Sequence, residues 1–177
     1  MPRCQHVVVA SVILLLAIRA NAFDFEFARG SSSAGQFSVL LPKPFAELPP
    51  NTGVNPAAAF RPTRSFVIGG KPAAGVIFLA TKMVYSSPDD ARSAVTNVIG
   101  AEPPGFKRAY MKRVDGAGLS GTEIRSVSSS TVGYRRILQS GDTVFILAVE
   151  APAAKDDEIK QPARKFLDSL TLTKPQT

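Results

Sequence analysis

Phe23-Asp24-Phe25-Glu26-Phe27 alternates apolar and polar residues. That is the period of a half-buried strand, or of an N-terminal extension packed along one edge. Residues 29–35 are rich in Ser, Gly and Ala and predict a flexible link. Phe37 to Leu41 predicts a short apolar strand stopped by Pro42 and Pro44. Residues 46–63 hold four prolines and several small residues, and predict an irregular loop. Ser65 to Ile68 and Gly75 to Tyr85 flank Gly69-Gly70-Lys71-Pro72, a pattern that predicts a hairpin turning on that tetrapeptide.

Ser87-Pro88-Asp89-Asp90 is a helix start. Ser87 can cap, Pro88 suits the first helical position, and both aspartates lie at the positive end of the dipole. Ala91, Ala94, Val95, Val98 and Ile99 share one face, Gly100 ends the helix, and Pro103-Pro104 prevent its resuming. Strands follow at Phe106 to Val114, Thr122 to Ser128 and Val132 to Gln139. Ser140-Gly141-Asp142 is a tight turn. Thr143 to Val149 is apolar almost throughout and predicts a central strand covered on both faces. Asp156-Asp157-Glu158 opens a last helix whose buried stripe is Ile159, Ala163, Phe166, Leu167 and Leu170. Pro162 lies inside it, so the helix either kinks or begins there.

Residues 1–22 change the picture of where this chain works. Arg3 precedes an apolar run from Val7 to Ile18, and Ala20-Asn21-Ala22 places small residues where a signal peptidase cuts. The run is too short to span a bilayer, which takes about 20 residues. A signal peptide cleaved after Ala22 is expected, with an uncleaved anchor as the competing reading. The mature chain then has no transmembrane segment and is periplasmic or secreted in a bacterium. Cleavage removes Arg3 and Arg19 and no acid, taking the formal charge from +7 to +5. Cys4 and His6, the single cysteine and single histidine of the 177 residues, go with it. Thiolate nucleophiles, Ser-His triads and zinc sites of Cys or His are thereby excluded. The expected organisation is a signal peptide (1–22), an extension or linker (23–34), one domain (35–173) and a tail (174–177).

Within the domain, Gly35-Gln36-Phe37-Ser38-Val39-Leu40-Leu41-Pro42 resembles the opening strand of small exported proteins of the PsbP/Mog1-like group. Gly121-Thr122-Glu123-Ile124 resembles the start of their central strand. Tyr134-Arg135-Arg136-Ile137, the Gly-Asp turn and Val144 to Val149 resemble the hairpin that follows. Residues 166–172 resemble the group's closing segment, with Leu170 where an aromatic is more common. The resemblance implies an α/β (α+β) fold, an antiparallel β-sheet flanked by helices in an α/β/α sandwich. Members range from photosystem accessory subunits and nuclear transport factors to exported bacterial proteins of unknown role, so it carries over no partner.

Chemical motifs are sparse. Gly118-Leu119-Ser120-Gly121 lacks the spacing of a nucleophile elbow. Gly69-Gly70-Lys71-Pro72 lacks the spacing and the hydroxyl of a phosphate loop. Asp156-Asp157-Glu158 and Asp89-Asp90 are what helix N-termini favour electrostatically. No metal site, cofactor or catalytic residue is expected. Glu123 is the best-placed carboxylate, but beside Arg125 it suits an ion pair better than a general acid.

The cations have direction. Lys107-Arg108-Ala109-Tyr110-Met111-Lys112-Arg113 is strand-like, and simple alternation puts Arg108, Tyr110 and Lys112 on one face with Lys107 and Arg113 on the other. Arg125, Tyr134 and Arg136 lie on neighbouring strands. The expected function is a non-enzymatic, exported binding or accessory protein whose basic, tyrosine-bearing sheet face meets a protein or an anionic envelope surface. Arg108, Tyr110, Lys112, Arg125, Tyr134 and Arg136 are the candidate binding residues. Nucleic acid is not an expected partner, because export separates the two. A solvated, charge-protected sheet edge accounts for the same cations without a function. The alternatives are a small hydrolase working without His or Cys, and a carrier of a small apolar ligand.

Overall fold

A long β-meander organises the chain. The computed structural model describes residues 23–51 and 60–173. The expected signal peptide with Cys4 and His6, and the expected tail, therefore lie outside the described residues, as do positions 52–59 of the proline-rich stretch. Strands β1 (Phe27–Ser32), β2 (Phe37–Pro42), β3 (Ala46–Glu47), β4 (Arg64–Ala73) and β5 (Val76–Val84) lead to helix α1 (Pro88–Gly100). Strands β6 (Lys107–Gly116), β7 (Leu119–Val127), β8 (Thr131–Ser140) and β9 (Thr143–Pro152) then lead to helix α2 (Asp156–Leu167) and the short β10 (Thr171–Leu172). Seven strands form one antiparallel sheet in the order β3-β4-β5-β9-β8-β7-β6, and β1, β2 and β10 form a second, small one.

The alternation of side chains across the large sheet divides the core in two. Val132, Tyr134, Leu138, Phe145, Leu147 and Val149 face one side, where α2 and β2 supply Ile159, Ala163, Phe166, Phe37, Val39 and Leu41. Ile137 and Val144 face the other, against Ala91, Ala94 and Tyr85, with Val95, Val98 and Ile99 packed around them. The result is the expected α/β/α sandwich with β9 at the sheet centre. Phe78 and Phe166 are fully buried and meet edge to face with centroids 5.4 Å apart. Each such ring contributes about 1.5–3 kcal/mol by burial. Phe25 and Phe27 set their rings edge-on to Phe78 at 5.9 and 6.3 Å, so the aromatic alternation at the N-terminus packs into this core.

Both helices start as their residues dictate. The Ser87 hydroxyl accepts the Asp90 backbone N–H at 3.1 Å, and α1 runs from Pro88 to Gly100. In α2 the helix begins at Asp156 and continues through Pro162, which overturns a start at Pro162. Leu170 is buried just beyond the helix end.

Two local expectations need correcting. Phe27–Ser32 is a strand paired along its length with Phe37–Pro42, not a flexible link. Its small residues reflect crowding, since a Cβ on Gly30 would lie 3.0 Å from Leu41 and from Phe45. The β4–β5 hairpin turns at Ala74–Gly75, where Gly75 takes φ +72°, rather than at Gly69–Pro72. Gly69 and Gly70 lie within the strand, where a Cβ would sit 2.6 Å from the Phe78 carbonyl oxygen and 2.1 Å from that of Pro44.

Candidate functional site

At the β6–β7–β8 end of the sheet, on the α2 side, the structure leaves a groove of about 540 Å³. The antiparallel register sets its floor as two rows across the strands. Tyr110, Arg125 and Tyr134 are cross-strand partners in one row, and Lys112, Glu123 and Arg136 are partners in the next. One stripe of α2 forms the wall: Asp156, Lys160 and Arg164 follow at four-residue intervals, with Leu167 beside them.

The second row is an ion cluster with a buried centre, Glu123 and Arg136, and a half-exposed end at Lys112. Glu123 is 5% exposed and Arg136 7%. Glu123 Oε2 accepts from Arg136 Nη2 at 2.6 Å and from its Nε at 3.2 Å. Glu123 Oε1 accepts from the Tyr110 hydroxyl and from Lys112 Nζ, both at 2.9 Å. Arg136 also donates Nη1 to the Leu167 carbonyl at 2.9 Å and lies 2.7 Å from Asp168 Oδ1. This ties the last turn of α2 to the sheet. The first row joins the start of the same helix. Tyr134 donates to Asp156 Oδ1 at 2.5 Å, Arg125 pairs with Asp156 Oδ2, and the Arg125 guanidinium lies 5.8 Å from the Tyr134 ring centre.

These contacts set the protonation of the groups. Burial pushes Glu123 upward, but the hydrogen bonds from Arg136, Lys112 and Tyr110 outweigh it and hold the carboxyl below its ordinary range. Asp156 is held low in the same way, against its own burial, by Tyr134 and Arg125. Burial raises Tyr110 to about 12, reinforced by the hydrogen bond to Glu123. Burial also raises Tyr134 to about 12, with Asp156 adding to it. Burial opposes the charge of Arg136, yet Glu123 and Asp168 raise its pKa further. Neither carboxyl is set as a general acid, which needs a raised pKa.

Five of the six candidate residues line this groove: Tyr110, Lys112, Arg125, Tyr134 and Arg136. Arg108 does not. A bulge between Arg108 and Tyr110 leaves Ala109 without a partner and reverses the alternation, so Arg108 falls on the α1 side. There Arg108 Nη2 donates to the Ile99 carbonyl near the end of α1, while its Nε lies 3.7 Å from Glu102. A cation at a helix C-terminus stabilises the unpaired carbonyls, which is a structural role. By the same register Lys107 shares the face of Tyr110 and Lys112, and Arg113 does not. Glu123 does form an ion pair, but with Arg136 and Lys112, while Arg125 takes Asp156.

The helix contributes what the sequence reading missed. Lys160 and Arg164 adjoin the apolar stripe of Ile159, Ala163 and Leu167, and the i, i+4, i+8 spacing from Asp156 was the available signal. Among the described residues, no group of three or more His, Cys, Asp or Glu could hold a metal ion. No described helix is long and apolar enough to cross a membrane.

No family model matches the chain, and no curated protein matches it. Solved structures are similar at low identity. LpqN, involved in cell envelope biogenesis of Mycobacterium tuberculosis, is 12% identical with a TM-score of 0.49, over 85% of this chain and 92% of that one. PA94 of Pseudomonas aeruginosa, a protein of unknown function, is 10% identical with a TM-score of 0.45, over 85% of this chain and 99% of that one. Cyanobacterial PsbP (CyanoP) from Synechocystis sp. PCC 6803 is 11% identical with a TM-score of 0.54, over 97% of this chain and 98% of that one. That likeness agrees with the layers and strand pairing above: the chain has the PsbP-like fold.

Proposed function

We propose that this chain is an exported, non-enzymatic binding or accessory protein that receives an acidic protein or an anionic envelope partner on its groove face. The observation that carries the reading is the convergence of five cations against two carboxylates, with two tyrosines, around one groove. Sheet floor and helix wall are locked together by buried hydrogen bonds, so the surface is preorganised and loses little freedom on binding. Both carboxylates are ionised and fully engaged, which suits recognition rather than proton transfer.

A photo-crosslinking residue in place of Lys112, at the exposed rim, tests this in an envelope preparation. The control carries it in place of Arg92, on the outer face of α1. The expected adduct forms from position 112 and not from 92, and fades as salt rises from about 0.05 to 0.5 M, because exposed charges are then screened. Identical adducts from both positions, or adducts indifferent to salt, would refute the reading.

A further inference from the structure

Not all five cations in the groove are available to a ligand. Arg136 spends its donors on Glu123, Leu167 and Asp168; Arg125 is held by Asp156; and Lys112 is held by Glu123. These sheet residues secure the fold first. Lys160 is exposed and, among the described residues, has no carboxylate within ion-pair distance, although its charge helps to hold Asp156 low. Arg164 is 80% exposed and pairs with Asp168 at 3.6 Å, a weak exposed contact that a stronger anion can replace. The two lie one helical turn apart on the groove wall, where neighbouring Cβ atoms are about 5–6 Å apart, so both heads reach a single anion.

With Asp168 counted beside Glu123 and Asp156, the five cations carry a surplus of two positive charges, which exceeds what one carboxylate neutralises. A phosphate monoester carries about −1.5 to −2 at neutral pH and offers three strong acceptors, matching an ammonium and a guanidinium together. The volume of about 540 Å³ falls within the roughly 300–1,000 Å³ of small-molecule sites and leaves room for a body beside the anion. Tyr110, Tyr134 and Leu167 supply the apolar part of the lining.

We infer that the groove is a site for an organic phosphate, Lys160 and Arg164 taking the phosphate and the tyrosine-bearing floor taking the group attached to it. The inference rests on the reading of the groove as the binding surface. The attached group belongs either to a soluble phosphomonoester or to a lipid with a phosphomonoester headgroup.

Calorimetric titration of the folded protein with phenyl phosphate, inorganic phosphate and benzoate tests it. Phenyl phosphate is expected to bind about tenfold more tightly than either of the others. Lys160→Ala or Arg164→Ala should each weaken it about tenfold, the scale of one charge-assisted hydrogen bond. Arg113→Ala, on the other face of the sheet, should leave it unchanged. Thermal melts confirm that the variants stay folded. Equal affinity for phenyl phosphate and benzoate, or binding indifferent to both helix variants, overturns the inference. Flotation with phosphatidylcholine vesicles containing phosphatidic acid separates the sources. Uptake lost in the same two variants assigns a lipid headgroup, and titration without uptake assigns a soluble ester. If position 112 still crosslinks its partner while phenyl phosphate fails, the organic phosphate falls and the binding face stands. If the titration succeeds and crosslinking fails, the envelope partner falls and the small-molecule site stands.

Discussion

Replacing Glu123 with Gln should cost about 3 kcal/mol of stability at neutral pH, although the side chain keeps its size and shape. The carboxylate accepts two hydrogen bonds from Arg136, one from Tyr110 and one from Lys112. An amide offers one acceptor atom in place of two, and its NH2 must point toward donors. The Lys112 contact contributes little, since that side chain is 52% exposed and exposed pairs are worth at most about 1 kcal/mol. The Arg136 contact decides the magnitude. Removing one partner of a buried pair costs about 3–5 kcal/mol. Asp168, 2.7 Å from Arg136, remains to share the charge and holds the loss near the lower bound.

With about 2–4 °C per kcal/mol at this chain length, the melting temperature should fall by about 6–12 °C. Calorimetry and urea unfolding followed by circular dichroism read it. The loss should also depend on pH. Because Glu123 is held below its ordinary value of 4.5 in the folded state, its contribution is present above that value. It is lost as pH falls through the lower folded value, so the gap between Glu123→Gln and the parent should close in that window. Arg136→Met should cost at least ~1 kcal/mol less in the Glu123→Gln background than alone, because the cation it removes is then already poorly paired. A loss at neutral pH within ~0.5 kcal/mol of zero would refute the reasoning, as would a gap constant down to acid pH.

Ultraviolet titration should find two of the three tyrosines, Tyr110 and Tyr134, ionising only near pH 12. The stability linked to them is present below the ordinary phenol value of about 10 and lost as pH rises through the folded one; all three titrating by about pH 11 would contradict their burial against carboxylates. Gly121→Ala should leave little folded protein, since the new Cβ would sit 1.9 Å from the Ile137 carbonyl oxygen. Relief requires β7 and β8 to separate, a cost on the order of 3 kcal/mol or more, and a soluble variant with an unchanged circular dichroism melt would show that the pairing is looser than its register implies.

The fold was largely legible where local signals agreed. Ser87, Pro88 and the two aspartates point to the same helix start, and the Ser140-Gly141-Asp142 turn with its apolar flanks defines the β8–β9 hairpin. It was illegible where glycine had two meanings. Gly69 and Gly70 read as a turn because glycine permits turns, but a second element presses on each of them, and only the tertiary structure shows that pressure. Gly30 misled in the same way: small residues chosen for close packing look like a linker when the neighbours are unseen.

The site shows a different limit. Alternation along a strand is reliable only while no residue is inserted, and the unpaired Ala109 turns Arg108 toward α1 while leaving Tyr110 and Lys112 in the groove. The pentad that remained was legible because from Tyr110 onward the three strands keep their register, so periodicity brings Tyr110, Arg125 and Tyr134 into one row. What periodicity could not show is which cations are already committed. Glu123 is local to β7, but its main partner comes from β8, and Asp156, which neutralises Arg125, comes from a helix 31 residues later in the chain. Counting positive residues along strands therefore overstates the charge left over on the sheet and overlooks the two exposed helix cations, which are only weakly paired. Charge content along the strands locates a candidate face; the pairing within the fold decides which of its cations are left for a ligand.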